Sequence, residues 1–154
     1  MTTVRDIDQA FATVPMLAAL SPRRRRRLAM QANTHSFPAG SLILREGDAS
    51  MALYVVLSGA VRVERATRCT GPIRLDELGP GAVFGEMGVI DDTPRSATVI
   101  ALERTECALL SRWDLERPLR EDGAIALALV QTLSARVRRL EARLTPQPLG
   151  VPAL

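Results

Sequence analysis

Residues Phe84 to Val99 read FGEMGVIDDTPRSATV, and they gather groups that could hold a small charged ligand. Gly85 and Gly88 flank a carboxylate, Glu86. Lacking Cβ atoms, the glycines let main chain approach a ligand closely, and a helical turn starting near Glu86 would aim free N–H groups outward as an anion site. Nine residues after Glu86, Arg95 supplies a planar, permanently charged fork suited to phosphate. Ser96 and the Ala97 N–H add neutral donors. Glu86 cannot face a phosphate, but a carboxylate is a good acceptor for a sugar hydroxyl. The set fits a ribose and a phosphate held together. Taken by themselves, an acid and an arginine at this spacing are more often a surface ion pair than a ligand site.

Other chemistry is thin. His35, Cys69 and Cys107 form no metal motif, and two cysteines are too few for a disulfide framework. Ser58, Ser96 and Ser111 have no histidine in a catalytic motif, and no phosphate-loop or dinucleotide fingerprint occurs. The expectation is a binding protein with no metal, cofactor or enzymatic activity. No apolar run is long enough to span a membrane and no secretion signal opens the chain, so a cytoplasmic location is expected.

The 154 residues suit one domain with one sizeable core. Residues Asp6 to Ala32 read as helical, broken at Pro15 and restarted at Ser21-Pro22, where serine suits the cap and proline the first turn. The pattern then changes to short Val-, Ile- and Leu-rich runs punctuated by glycines. Strands are expected near Ser41 to Arg45, Leu53 to Leu57, Ala60 to Ala66, Ile73 to Leu78, Ala97 to Leu102 and Glu106 to Leu110. Helix returns at Trp113 to Arg120 and again from Ala124 to about Leu144. In the last helix Val130, Leu133, Val137, Leu140 and Leu144 follow a heptad seam, which favours a parallel homodimer over simple packing on the chain's own barrel.

The segment Phe84 to Val99 resembles the phosphate-binding cassette of the cyclic-nucleotide-binding domain family. The resemblance extends through FPAGSLILREGD at Phe37 to Asp48, LYVVLSGAVRV at Leu53 to Val63 and LGPGAVFGE at Leu78 to Glu86. It implies a mainly β fold: an antiparallel, jelly-roll-like β-roll with N-terminal helices and a long C-terminal helix. One domain would comprise a helical lead-in (1–36), a roll (37–111) carrying the cassette (84–99), C-terminal helices (112–144) serving as lid and dimer element, and a tail (145–154) expected to fray. The resemblance further implies that Glu86 binds the ribose 2′-hydroxyl and Arg95 the cyclic phosphate. Gly85, Met87, Gly88, Ser96 and Ala97 would complete the site. By its spacing from the cassette Arg136 would be the lid over the base, with Arg139 as second choice. Thr often follows the cassette arginine in cGMP-selective members; Ser96 and Ala97 stand there instead, so cAMP is the expected ligand ahead of cGMP.

Two features fall outside this pattern. All 20 basic residues are arginine, and five of them form the run Arg23 to Arg27. Taking those five from the 20 leaves 15 against 17 acidic residues, so the high pI arises in one short run. Family members usually carry acidic residues and one leucine there, which makes Arg25 a departure. The run reads as a solvated helix face, as a surface for an acidic protein partner, or as a nucleic-acid contact. Trp113 reads as a packing anchor. The chain stops about ten residues after Leu144, leaving no room for the helix-turn-helix of the catabolite activators, so DNA binding is not expected. The leading expectation is a stand-alone cyclic-nucleotide sensor acting through a partner or a dimer change; the alternatives are an interaction module with a vestigial pocket and an arginine-driven nucleic-acid binder.

Overall fold

A computed structural model describes residues 1–144 of the chain. The expected tail 145–154 lies outside the described residues. The helical lead-in consists of α1 (Val4–Phe11), α2 (Pro15–Ala18) and α3 (Pro22–Gln31). Thr3 caps α1 reciprocally with Asp6, and Ile7 and Phe11, one turn apart, are its buried face. Ser21 caps α3 through the Arg24 N–H at 3.3 Å, with Pro22 in the first turn, as the sequence indicates. Arg25 ties α3 to α1 by donating from Nε to Asp8 at 2.8 Å.

Eight strands follow: β1 (Asn33–Phe37), β2 (Leu42–Leu44), β3 (Ala52–Ser58), β4 (Val61–Arg65), β5 (Ile73–Leu78), β6 (Val83–Phe84), β7 (Thr98–Ala101) and β8 (Thr105–Ser111). They pair antiparallel in two four-stranded sheets, ordered β1-β8-β3-β6 and β2-β7-β4-β5. The helix α4 (Glu86–Asp91) interrupts the roll, and α5 (Arg112–Glu121) and α6 (Gly123–Leu144) close the described chain. This is the expected β-roll with flanking helices. Strand β1 begins at Asn33 and so belongs to the roll, correcting the lead-in boundary at residue 36. Its residues are almost all exposed because it lies at a sheet edge. An NTHSF strand therefore carries no apolar alternation to announce it.

Alternate side chains of the central strands feed two cores. Leu53 and Val55 of β3 and Ala108 and Leu110 of β8 pack outward against Phe11, Leu17, Leu28, Leu115 and Ile125 of the helices. Tyr54, Val56, Cys107 and Leu109 point the other way and meet Leu44, Val61 and Val99 of the second sheet. Burial pushes the Cys107 thiol up to about 12, so it remains protonated, whereas Cys69 is exposed.

Two expectations about the C-terminal helices change. Ser111 and Asp114 form a capping box that fixes the phase of α5 so that Leu115 is buried. Trp113, two residues earlier and about 200° around the helix, is 71% exposed and is not a packing anchor. On α6 the expected seam is split: Leu133 packs on the chain's own core, while Val130, Val137, Leu140 and Leu144 are exposed, Leu140 at the rim of a cavity. Leu127, also exposed, lies three residues before Val130 on the same stripe.

Candidate functional site

A cavity of about 250 Å³ opens between the second sheet, α4 and the C-terminal half of α6. All eight residues singled out in the sequence line it: Gly85, Glu86, Met87, Gly88, Arg95, Ser96, Ala97 and Arg136. The second-choice Arg139 lines it too.

Local geometry explains how they converge. Gly85 caps α4 in the left-handed region (φ 79°, ψ 7°), which lets β6 turn directly into a helix. A Cβ there would sit 2.6 Å from Arg95 Nη1, so glycine is required by the turn and by the arginine. At Gly88 the close neighbours are protein rather than cavity. A Cβ would come within 1.9 Å of Ser50 Oγ and 2.5 Å of the Thr93 carbonyl oxygen. That glycine packs α4 against its own surroundings, a role the sequence does not reveal. The chain returns through a turn in which Thr93 Oγ1 donates to Asp91 at 2.5 Å. Arg95 is then fixed by its backbone, its N–H donating to Asp48 O at 2.8 Å and its carbonyl accepting from Gly47 N at 2.9 Å.

The Arg95 side chain is 7% exposed. Nη1 donates to the Gly85 carbonyl at 2.8 Å and Nη2 to the Ala52 carbonyl at 2.7 Å. The guanidinium also lies over Tyr54, 5.8 Å from the ring centroid, and Tyr54 stacks on Phe84. Burial lowers the Arg95 pKa, opposed by the nearby Tyr54 and Glu86. No carboxylate forms an ion pair with it among the described residues. Two of its five N–H donors are thus spent on carbonyls, and its charge is left without a paired anion. Buried charges are expensive unless paired, so the arrangement suits an anion entering the cavity.

Glu86, 5% exposed, begins α4 and receives a hydrogen bond from Arg136 Nη1, which crosses from α6. Further along α6, Arg143 donates to the Leu75 carbonyl of β5. The sheet side of the cavity is mostly apolar, with Leu44, Val63, Leu75, Leu78, Phe84 and Val99, and carries Arg65 and Asp76 as its charged groups. Sequence reasoning missed this wall, although alternation along β4 and β5 places Val63 and Leu78 on one sheet face. Among the described residues no His, Cys, Asp and Glu group could hold a metal ion, and no helix is long and apolar enough to cross a membrane.

A roll presenting a buried acid and a buried arginine to one small cavity has the chemistry to suit a compact anionic ligand with hydroxyl groups. Comparison with known proteins makes the class specific. A family model described as "Cyclic nucleotide-binding domain" matches residues 34–122. The chain belongs to that family. It is 40% identical over 109 residues to the Cyclic AMP receptor protein of Thermus thermophilus, covering 70% of this chain and 50% of that protein. It is 34% identical over 116 residues to the cAMP-dependent protein kinase regulatory subunit of Aspergillus niger, covering 75% of this chain and 28% of that one. The chain thus spans half or less of the length of these two relatives. A crystal structure of a cyclic nucleotide-binding domain from Methylobacillus flagellatus superimposes with a TM-score of 0.80 at 29% identity, covering 97% of this chain and 86% of the other.

Proposed function

We propose that this protein is a regulatory sensor that binds a cyclic nucleoside monophosphate, cAMP in preference to cGMP, without transforming it. One observation carries the reading: Arg95 is a buried guanidinium, satisfied by two carbonyls but not neutralised, at the wall of a cavity it shares with the Glu86 carboxylate. The three N–H groups that remain to Arg95 take the cyclic phosphate, with Ser96 and the Ala97 N–H alongside. Glu86 accepts from the ribose 2′-hydroxyl, and the backbone of Gly85, Met87 and Gly88 closes around the sugar phosphate. The preference for cAMP rests on Ser96-Ala97 standing where a threonine would favour guanine, and on relatives whose names carry cAMP.

The Glu86–Arg136 contact gives binding a consequence. A ribose hydroxyl on Glu86 displaces Arg136, which is then free to stack on or hydrogen-bond the base, and α6 follows. The exposed stripe Leu127, Val130, Val137 and Leu144 is the surface through which two copies pair, so a shift of α6 reaches a partner chain or a second protein. Isothermal calorimetry with cAMP and with cGMP is the test. Both bind, cAMP more tightly, and Arg95→Ala weakens binding by on the order of tenfold or more, as loss of one charged hydrogen bond requires. No heat with either nucleotide overturns the reading.

A further inference from the structure

The cavity lined by Glu86 and Arg95 carries a further acid that the ribose and phosphate contacts leave unused. Residues directly opposite one another on antiparallel strands present their side chains to the same face. Asp76 of β5 stands opposite Val63 of β4, as Leu78 stands opposite Val61. Val63, Asp76 and Leu78 accordingly all line the cavity. Asp76 is thus a half-buried carboxylate on a sheet face whose other cavity residues are mainly Leu44, Val63, Leu78 and Val99.

The surroundings of Asp76 leave it short of partners. Its Oδ1 accepts from the adjacent Glu77 N–H at 3.0 Å. No cation pairs with it among the described residues. Of the arginines that line the cavity, Arg65 pairs with Glu46 at 3.5 Å, Arg136 with Glu86, and Arg95 and Arg143 donate to main-chain carbonyls. Arg139 lines the cavity from α6 and also forms no ion pair among the described residues. A carboxylate placed on an apolar wall costs free energy unless a donor meets it.

We propose that Asp76 selects the base, its carboxylate accepting from the exocyclic 6-amino group of adenine. The inference rests on the nucleotide binding proposed above: with the phosphate on Arg95 and the ribose on Glu86, the base takes the part of the cavity lined by β4, β5 and α6. A 6-amino group donates to Asp76, whereas the 6-oxo group of guanine or hypoxanthine brings an acceptor to the same place and meets the carboxylate unfavourably. The Glu77 N–H already engages Oδ1, which weighs against the two-oxygen bond that the adjacent N1–H and N2–H2 donors of guanine call for. Strand β5 is also a sheet edge, where an inward charge discourages pairing with another chain. That role is blind to the base, so discrimination between nucleotides separates the two.

The experiment is isothermal calorimetry with cAMP, cIMP, cGMP and the cyclic monophosphate of purine riboside, which has hydrogen at position 6, together with the melting temperature of each variant. The wild-type protein binds cAMP more tightly than cIMP and cGMP by on the order of tenfold, and more tightly than the 6-hydrogen analogue by severalfold, as one hydrogen bond to a charged group requires. Asp76→Ala brings cAMP down to the affinity of the 6-hydrogen analogue and leaves that analogue within about twofold of its wild-type value. Asp76→Asn, whose carboxamide offers either a donor or an acceptor, brings cAMP and cIMP within about threefold of each other. A cAMP to cIMP ratio near one in the wild-type protein, or a ratio that neither variant changes, overturns the inference while nucleotide binding stands. So does equal loss for all four nucleotides with a lower melting temperature, which assigns Asp76 to the sheet edge. A ratio that responds to Arg139→Gln and not to Asp76→Ala, or cGMP binding most tightly and weakening in Asp76→Ala, likewise overturns it. No heat with any of the four overturns the nucleotide reading itself and this inference with it.

Discussion

Two guanidiniums face the same cavity and are held in opposite ways. Arg95 is buried, sits on a backbone pinned at both its N–H and its carbonyl, and gives its Nη atoms to two main-chain oxygens. Arg136 reaches across from a helix with an exposed apolar stripe and rests on one carboxylate. Main-chain acceptors from β3 and the β6–α4 turn cannot move without disturbing the sheet; a side-chain carboxylate that also suits the ligand can exchange partners. On the function proposed above, the cassette would be the fixed part of the binding site and α6 its movable cover.

The contrast breaks most visibly at Arg95. Arg95→Lys keeps the charge but cannot serve two carbonyls with a fork, and each charged hydrogen bond is worth about 1.5–3 kcal/mol. Nucleotide affinity falls by at least about tenfold in calorimetry, and the melting temperature falls as well; an unchanged melting temperature would show that Arg95 is not part of the frame. Arg136→Gln tests the other half and has a smaller effect. Affinity drops severalfold, the melting temperature of the free protein barely moves, and the nucleotide-induced change in α6 hydrogen-exchange protection is blunted. If neither affinity nor protection changes, the cover is elsewhere on α6. The smallest effect is spectroscopic. Tyr54, the only tyrosine, lies beneath Arg95, and burial raises its pKa above the ordinary phenol value while Arg95 opposes the rise. Alkaline absorbance titration of the folded protein should place its midpoint above about 10; a midpoint below that would mean the arginine's charge outweighs desolvation.

What the sequence makes legible follows from distance along the chain. Glu86 and Arg95 belong to one short segment with a helical turn between them, so their convergence is readable from residue types and from family resemblance. The caps at Ser21 and Ser111 are equally local. Strand β1 escapes because a polar edge strand obeys pairing with β8 rather than burial. Trp113 is misread because the phase of α5 is fixed by its cap, and a lone large aromatic does not declare which side of a helix it faces. The split heptad of α6 has the same origin: Leu133 satisfies the spacing for a partner helix, but the chain's own core is nearer. The apolar wall of the cavity needs β4, β5 and β7 side by side, a fact of topology.

Strand β3 joins these regions at very short range. The Ala52 carbonyl accepts from Arg95, the next side chain, Leu53, enters the helical core, and the one after, Tyr54, returns beneath the arginine. The cassette and the helical core therefore meet on a single span of backbone. Tuning one retunes the other: a substitution at Leu53 made only to loosen the helices would also shift the carbonyl and the ring that hold Arg95. Affinity and mechanical stiffness are adjusted here by the same three residues.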